Sequence, residues 1–207
     1  IRVVTPQGTV EKPNIKYHAL YTPNDIKSAQ WFTTKIAAPA TWDKTTGSSD
    51  TAVAVIDTGF ALSHDELSYR WETNSGEMGR VGSEGAAPNC TSRGLPLDKS
   101  CNNIDDDSNG YVDDWRGWDF VAGEGTGDND PMDDNGHGTH VAGTIAAVGN
   151  NRIGIIGVAP NAHVMALKSI DREGLGTSEG LARAIVYAAE NGARVINMSF
   201  ETALPCS

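Results

Sequence analysis

Short apolar runs rich in β-branched residues recur along the chain and predict β-strands. Thr51–Ile56 reads TAVAVI and is followed by Asp57, a pattern typical of a buried parallel strand that delivers a carboxylate to its C-terminal edge. Residues 72–135 hold few apolar positions and many Gly, Asn and Asp, so we expect most of them to form surface loops. Three further strands are predicted at Gly117–Val121, His163–Ile170 and Arg194–Phe200.

Segments between these strands predict helices. Gly138–Val148 carries Ala and Gly at close spacing, which favours a helix packed tightly against its neighbours. Ser178–Asn191 is amphipathic, and we expect Ser178 at its N-cap and Gly192 at the C′ position. Alternating strands and helices predict an α/β fold with a mainly parallel sheet.

The first 48 residues differ from the rest because four prolines interrupt any long element. We expect residues 1–48 to form an extended arm with one short helix around Ile26–Ile36. Residues 49–207 are then expected to form part of a single catalytic domain.

Charge narrows the range of partners. The 207 residues include 27 acidic and 16 basic side chains, for a net charge of −11. This balance disfavours nucleic acid and anionic membranes as partners and favours cations. No apolar run approaches the roughly 20 residues that a membrane helix needs.

The three cysteines do not have zinc-site spacing. Cys90 and Cys101 bracket a loop rich in Ser, Gly, Pro and Asn, and we expect them to form a disulfide, the alternative being two free thiols. A disulfide implies an oxidising compartment, so we expect a secreted protein.

One acidic segment has the spacing of a calcium-binding loop. Oxygen donors fall at loop positions one, three, five, seven and nine, with Gly110 at position six, but Arg116 replaces the usual bidentate Glu at position twelve. The segment is either a calcium site or a solvated acidic turn. The candidate ligands are Asp105, Asp107, Asn109, the Tyr111 carbonyl and Asp113.

His137 is the histidine best placed for chemistry. Glycines on both sides free the backbone, and the positive end of the following helix favours the neutral imidazole that a general base needs. We expect His140, one turn later, to be a packed structural residue. Asp57 at its strand end is the natural group to orient His137, although such an aspartate can also simply cap a turn.

Four segments, AVIDTGF, DNGHGTHVAGTIAA, VAPNAHVMALKSI and VINMSF, resemble the subtilisin-like serine proteases. The resemblance runs from about Tyr21 to Phe200, and the YTPND arm resembles the thermitase branch of the family. It implies a mainly parallel sheet with helices on both faces and a serine endopeptidase activity. It also implies that Asp57 is the triad acid and His137 the general base.

The same resemblance implies further site residues. An extended peptide substrate is expected to pair with two backbone segments, formed by Gly174, Leu175 and Gly176 and by Ser199 and Phe200. A second calcium site is expected to use the side chains of Asp25, Glu66 and Asn151 and the carbonyl oxygens of Val148, Ile153 and Ile155.

The family's nucleophile lies in a GTSMA-type segment, and neither this segment nor the oxyanion-hole Asn occurs in the 207 residues. Ser178 lies in a tempting GTSEG sequence, but the resemblance places it at a helix start. We therefore expect a fold incomplete at its C-terminus, an inactive chain, and a C-terminal fragment that completes it. The alternative is a non-catalytic calcium-binding module or pseudoprotease that keeps the peptide groove.

Overall fold

A computed structural model describes residues 2–5, 8–11, 23–25, 29–79, 98–121 and 127–201, the first two ranges as backbone only. Two short strands, β1 (Arg2–Thr5) and β2 (Gly8–Glu11), pair antiparallel. The elements that follow are α1 (Trp31–Lys35), α2 (Ala38–Trp42), β3 (Ala52–Asp57), β4 (Trp118–Asp119), α3 (His137–Ala146), β5 (His163–Lys168), α4 (Ser178–Glu190) and β6 (Val195–Met198). Single 3-10 turns occur at Ser75–Glu77 and Lys99–Cys101.

The main sheet has the strand order β4-β5-β3-β6, and all its pairs are parallel. Strand β3 lies in the interior and is buried along its whole length. Its last residue, Asp57, pairs in register with Lys168, the last residue of β5. The predicted α/β fold with a mainly parallel sheet is confirmed, and Asp57 lies at the C-terminal edge of that sheet.

Alternate residues of β3 pack on opposite faces of the sheet, as the two-residue period of a strand requires. Val53 and Val55 pack with Ala142 and Ala146 of α3. On the other face, Ala54 and Ile56 belong to a cluster that includes Trp118, Phe120, Ala184, Tyr187 and Ala188, so α4 covers that side. Helices therefore lie on both faces of the sheet.

The helical region around residue 37 differs from the prediction. The single helix expected over Ile26–Ile36 is instead α1 followed by α2, while residues 26–28 lie outside the described residues. Ala37 is left-handed, with φ of 56°, and separates the two helices. Pro39 near the start of α2 does not break it, because the first turn of a helix needs no N–H donor there.

The N-cap of α4, the exposure of His140 and the lengths of two strands also differ from the expectations. The N-cap of α4 is Thr177, whose hydroxyl accepts a hydrogen bond from the Gly180 amide, and Ser178 is the first helical residue. His140 is exposed on α3 rather than packed. The predicted strand at Gly117–Val121 shortens to two residues, and that at Arg194–Phe200 shortens to four.

Across the described ranges, no helix combines the length and the apolar character that a membrane span needs.

Candidate functional site

The buried end of β3 meets the start of α3 through one short hydrogen bond. His137 Nδ1 lies 2.7 Å from Asp57 Oδ1. The carboxylate of Asp57 is fully buried, whereas about half of the His137 side chain is exposed. A buried acceptor on Nδ1 fixes the ring orientation and leaves Nε2 for proton exchange with a substrate or nucleophile.

The strand end and the helix start approach closely because position 138 is a glycine. A Cβ at Gly138 would overlap the Gly59 carbonyl oxygen and lie 3.1 Å from the Asp57 Cβ. The Gly138 amide donates to Thr58 Oγ1 at 3.0 Å, which joins the helix start to the residue after Asp57. A side chain at 138 would hold the two elements apart.

Asp133 organises the loop before His137, and sequence reasoning did not single it out. Its carboxylate accepts hydrogen bonds from the Thr58 and Thr139 hydroxyls and from the amides of Asn135, Gly136 and Thr139. Burial alone would raise the pKa of Asp133, but the hydrogen bonds from Thr139 and the loop amides outweigh it and lower that pKa. The loop is therefore held by an ionised carboxylate next to the candidate acid–base pair.

The predicted substrate segments border one open cleft. Gly174, Leu175 and Gly176 line a groove of about 650 Å³ together with Phe200. Gly176 forms an antiparallel bridge with Ile170, and Leu175 is 67% exposed. Ser199 is exposed beside Phe200 and accepts a hydrogen bond from the Asn197 side chain. The structure thus places Phe200 of one predicted segment in the same groove as the other predicted segment, Gly174–Gly176.

The side chains expected at the second calcium site come from the arm, from the segment after β3 and from the loop after α3, and they contact one another. Asp25 is fully buried and Glu66 is 5% exposed. Asn151 donates through its backbone N–H to Asp25 Oδ2 at 3.1 Å and through its side chain to Glu66 Oε1 at 2.9 Å. Asp25 Oδ1 is buried and has no hydrogen-bond partner among the described residues. A buried carboxylate oxygen without a partner fits a bound cation.

The residues predicted to supply carbonyl oxygens, Val148, Ile153 and Ile155, lie in the same loop, and their N–H groups hydrogen-bond to Glu66 and Asn151. The Val148 amide donates to the Glu66 carbonyl at 3.0 Å, and the Ile155 amide donates to Glu66 Oε2 at 3.3 Å. The Ile153 amide donates to Asn151 Oδ1 at 3.1 Å. A Cβ at Gly154 would lie 2.7 Å from Glu66 Cδ, so the glycine lets the loop pack closely against the Glu66 carboxylate.

In the acidic loop of residues 105–113, two of the predicted carboxylates lie beside a third that the spacing does not indicate. Carboxylate oxygens of Glu77, Asp105 and Asp107 lie within 4.8 Å of one another. Asp113 instead accepts hydrogen bonds from the amides of Asn102 and Asn103. Asn109 donates its amide to Asp105 and accepts from the Tyr111 amide.

Glu77 is the residue that the spacing argument missed, because it lies on a 3-10 turn 28 residues before Asp105. It is fully buried, and Oε1 accepts hydrogen bonds from the Asp106 and Asp107 amides while Oε2 has no partner among the described residues. Burial raises the pKa of Glu77 to about 7, and the nearby Asp114 and Asp107 carboxylates add to the shift. A cation bound at the cluster would offset the cost of ionising Glu77 among these carboxylates.

A buried carboxylate ties the acidic loop to the core. Asp114 accepts hydrogen bonds from the Tyr187 hydroxyl at 2.6 Å, from Asn74 at 2.7 Å and from Asn109 at 3.0 Å. Burial raises the pKa of Asp114, and burial and the Asp114 charge raise that of Tyr187. Asp114 therefore links the acidic loop to Tyr187 of α4, on the face of the sheet that this helix covers.

The expected Cys90–Cys101 disulfide cannot be followed here, because Cys90 and Cys206 lie outside the described residues. Cys101 is 2% exposed, within the 3-10 turn that precedes the acidic loop. The pairing stays a prediction.

Comparison with known proteins gives consistent similarities. Residues 48–203 match the Subtilase family. The chain is 36% identical to the thermophilic serine proteinase of Bacillus sp. (strain AK1) over 91% of its length, and 36% identical to thermitase of Thermoactinomyces vulgaris over 86%. It spans 36% of the first relative and 48% of the second, so it covers less than half of either.

Solved structures agree with the fold. The chain matches sphericase with a TM-score of 0.50 and 31% identity, covering 78% of this chain and 40% of that one. It matches proteases from Pseudoalteromonas arctica PAMC 21717 with a TM-score of 0.61 and 26% identity, covering 90% of this chain and 53% of that one.

Proposed function

The chain belongs to the subtilase family, and on that basis we propose that it supplies the aspartate and histidine of the Asp-His-Ser triad of a serine endopeptidase. The observation that carries the proposal is the 2.7 Å contact between His137 Nδ1 and a fully buried Asp57 carboxylate. A buried carboxylate at this position holds the imidazole in the tautomer that a general base requires.

In this mechanism, His137 Nε2 accepts the proton of a serine hydroxyl as the hydroxyl attacks the peptide carbonyl. The same nitrogen then gives the proton to the leaving amine. Asp57 keeps the Nδ1 proton in place and stabilises the imidazolium that forms between the two steps. The serine becomes acylated, and water hydrolyses the acyl-enzyme.

The substrate is a protein or peptide in extended conformation. We propose that its backbone pairs with Gly174–Gly176 on one side of the groove and with Ser199 and Phe200 on the other. The Gly174 carbonyl and the main-chain groups of Gly176 would supply hydrogen bonds, because the N–H and C=O of Leu175 already bond to Asp171. The exposed Leu175 side chain would add apolar contact. The groove would thereby present the scissile carbonyl to the triad.

This chemistry needs a nucleophile, a general base, a group that orients the base, and oxyanion donors. The 207 residues provide the base and the orienting group, because they contain no GTSMA-type segment and no family oxyanion-hole Asn. We propose that these parts come from further sequence or from a separate C-terminal fragment. Strand β6 supports this, because it pairs only with β3 among the described strands and its Val195 and Met198 are 51% and 48% exposed. A further strand would cover these side chains.

Calcium is the proposed cofactor, and its role is to stabilise the fold. Asp25, Glu66 and Asn151, with carbonyl oxygens of Val148, Ile153 and Ile155, would hold one ion between the arm and the loop after α3. Asp105 and Asp107 would hold another, with Asn109, Tyr111 and Asp113 as the further donors that the spacing indicates. The buried Glu77 is the donor that the geometry adds to this second site.

Residues 1–48 would form an arm that calcium ties to the catalytic part at 49–207. The protein would be secreted, and a Cys90–Cys101 disulfide would close the loop before the acidic segment.

Casein hydrolysis tests the proposed function. The 207-residue chain should be inactive, and a longer chain that carries the family's serine segment should hydrolyse casein. In the longer chain, Asp57→Asn should lower kcat by about 10⁴-fold, and the exposed neighbour Asp65→Asn should not. A longer chain that binds calcium and peptide but never hydrolyses casein would instead be a non-catalytic module.

A further inference from the structure

A lysine ammonium is buried at the edge of the sheet, next to the candidate acid. Lys168 is the last residue of β5, pairs in register with Asp57 and is only 4% exposed. Burying an ammonium is unfavourable unless several acceptors surround it, so the groups that face Lys168 show what holds it there.

The three acceptors of Lys168 belong to three different segments. Its Nζ donates to the Thr58 carbonyl directly after β3, to the Ile170 carbonyl at 3.3 Å and to Asp134 Oδ1 at 2.7 Å. Thr58 follows Asp57, and Asp134 lies in the loop that leads to His137. Ile170 begins the hairpin, residues 170–176, that carries the proposed substrate segment.

A second contact joins two of these segments. The Asn135 side chain donates to the Arg172 carbonyl at 2.9 Å, so the loop before His137 is linked to the hairpin independently of Lys168. Within the hairpin, the Asp171 amide donates to the Leu175 carbonyl at 2.8 Å. A movement of the loop would therefore be transmitted to the residues that border the groove.

We propose that Lys168 is a positioning residue that fastens the acid-bearing strand, the loop before His137 and the substrate hairpin to one another. The proposal rests on the proposed function, since the role of Lys168 would be to fix the position of His137 relative to the bound peptide. Lys168 acts through Thr58, Asp134 and Ile170 and takes no proton in the reaction. A neutral side chain of the same length would leave two carbonyls and a carboxylate without their common donor.

Amide hydrogen exchange on the 207-residue chain tests the linkage without any need for activity. Asp134→Ala removes one of the three acceptors of Lys168. The Asp134 side chain is 51% exposed, so this variant should fold. Glu173→Ala is the matched control, because its side chain is 53% exposed, lies in the same hairpin and contacts Arg172 rather than Lys168.

In Asp134→Ala, exchange should accelerate on the order of tenfold at the Gly136 amide and also at the Asp171 amide across the link. In Glu173→Ala both amides should exchange as in the wild type. Amides of β3 and β5 should be unchanged in both variants. Unchanged exchange at Asp171, or equal acceleration at every amide, would overturn the proposal.

Kinetics of a serine-bearing chain test the consequence for catalysis. Asp134→Ala and Lys168→Met should each lower kcat and raise KM when rates are normalised to titrated active sites, and their effects should not add. If Lys168 had a purely structural role, the substitutions would reduce the fraction of molecules with a functional active site. The kcat per active site and the KM would then be unchanged. If the serine-bearing chain without these substitutions hydrolyses nothing, the triad proposal fails. The exchange data on the 207-residue chain still decide whether Lys168 links the segments.

Discussion

Asp57 and His137 are 80 positions apart in the chain, yet their side chains meet at 2.7 Å where β3 ends and α3 begins. The contact depends on how closely the strand end and the helix start can approach. Gly138 sets that approach, because its missing side chain leaves room for the backbone of Gly59 and for Asp57 Cβ. The geometry of the candidate acid–base pair is thus built into the packing of two backbone segments.

Gly138→Ala should separate this pair. The added Cβ would overlap the Gly59 carbonyl, so unfolding free energy should fall by about 1–3 kcal/mol, as overpacked sites do. Urea unfolding measures the loss, and the downfield imidazole N–H resonance reports the Asp57–His137 bond, which should weaken.

Gly143→Ala is the control for that experiment, because it lies in the same helix and its Cβ would meet Ile155 Cδ1 at an ordinary 3.9 Å. Because alanine has a higher helix propensity than glycine, the unfolding free energy of Gly143→Ala should be unchanged or higher by up to about 1 kcal/mol. Equal losses in the two variants would contradict the close-approach argument.

Removing calcium should destabilise the arm. In the wild type, Tm should be higher in calcium than in chelator, because binding to the native state alone shifts the unfolding equilibrium. Asp25→Asn should lose at least half of that difference, since it removes the charge of a buried ligand. Scanning fluorimetry measures it, with the exposed Asp65→Asn as control; a full calcium response in Asp25→Asn would exclude this site.

The acidic loop should bind its own ion through Glu77. Glu77→Gln should remove one calcium-binding event in titration calorimetry and leave the event that depends on Asp25. Glu190→Gln, an exposed change at the end of α4, should keep both. If Glu77→Gln binds calcium as the wild type does, the ligands of the loop are those of the spacing argument alone.

Much of this arrangement follows from local sequence. The apolar runs that end at Asp57 and begin at His163 predict their strands because β-branched and apolar residues form the buried interior of the sheet. The two-residue period of a strand then divides their side chains between the face that α3 covers and the face that α4 covers. The glycines around His137 predict its position at a helix start. These signals are local, so they can be read within a window of about ten residues.

What the sequence did not predict depends on contacts between distant positions. Glu77 reaches the acidic loop from a separate 3-10 turn, so the spacing within the loop does not indicate it as a member of the carboxylate cluster. Lys168 looks like an ordinary strand residue until Asp134 and Thr58 are placed around its ammonium. Thr177 replaces Ser178 as the N-cap because either residue type suits that position.

Asp119 gives a prediction for pH dependence. Burial is the main cause that raises its pKa to about 6, and the Asp128 charge adds to it, against the opposing Val121 amide and Lys168. The folded state therefore holds a proton that the unfolded state loses above about pH 4, so this carboxyl lowers stability as pH rises through 6. Asp119→Asn removes the penalty while keeping an acceptor for the Val121 amide.

The difference in Tm between Asp119→Asn and the wild type should therefore increase, in favour of the variant, by a few degrees from pH 4 to pH 7. Thermal unfolding at both pH values measures the difference. A constant gap between the two proteins would show that Asp119 ionises alike in the folded and unfolded states.

Labelling with a fluorophosphonate tests the central claim, that Asp57 and His137 are the acid and base of a subtilase triad, most directly. The reagent forms a covalent bond only with a serine that a neighbouring base activates. A serine-bearing chain should be labelled at its downstream serine, its His137→Ala variant should not be labelled, and the 207-residue chain should take no label. Stoichiometric label on Ser178 of the 207-residue chain, or undiminished labelling in His137→Ala, would contradict the account.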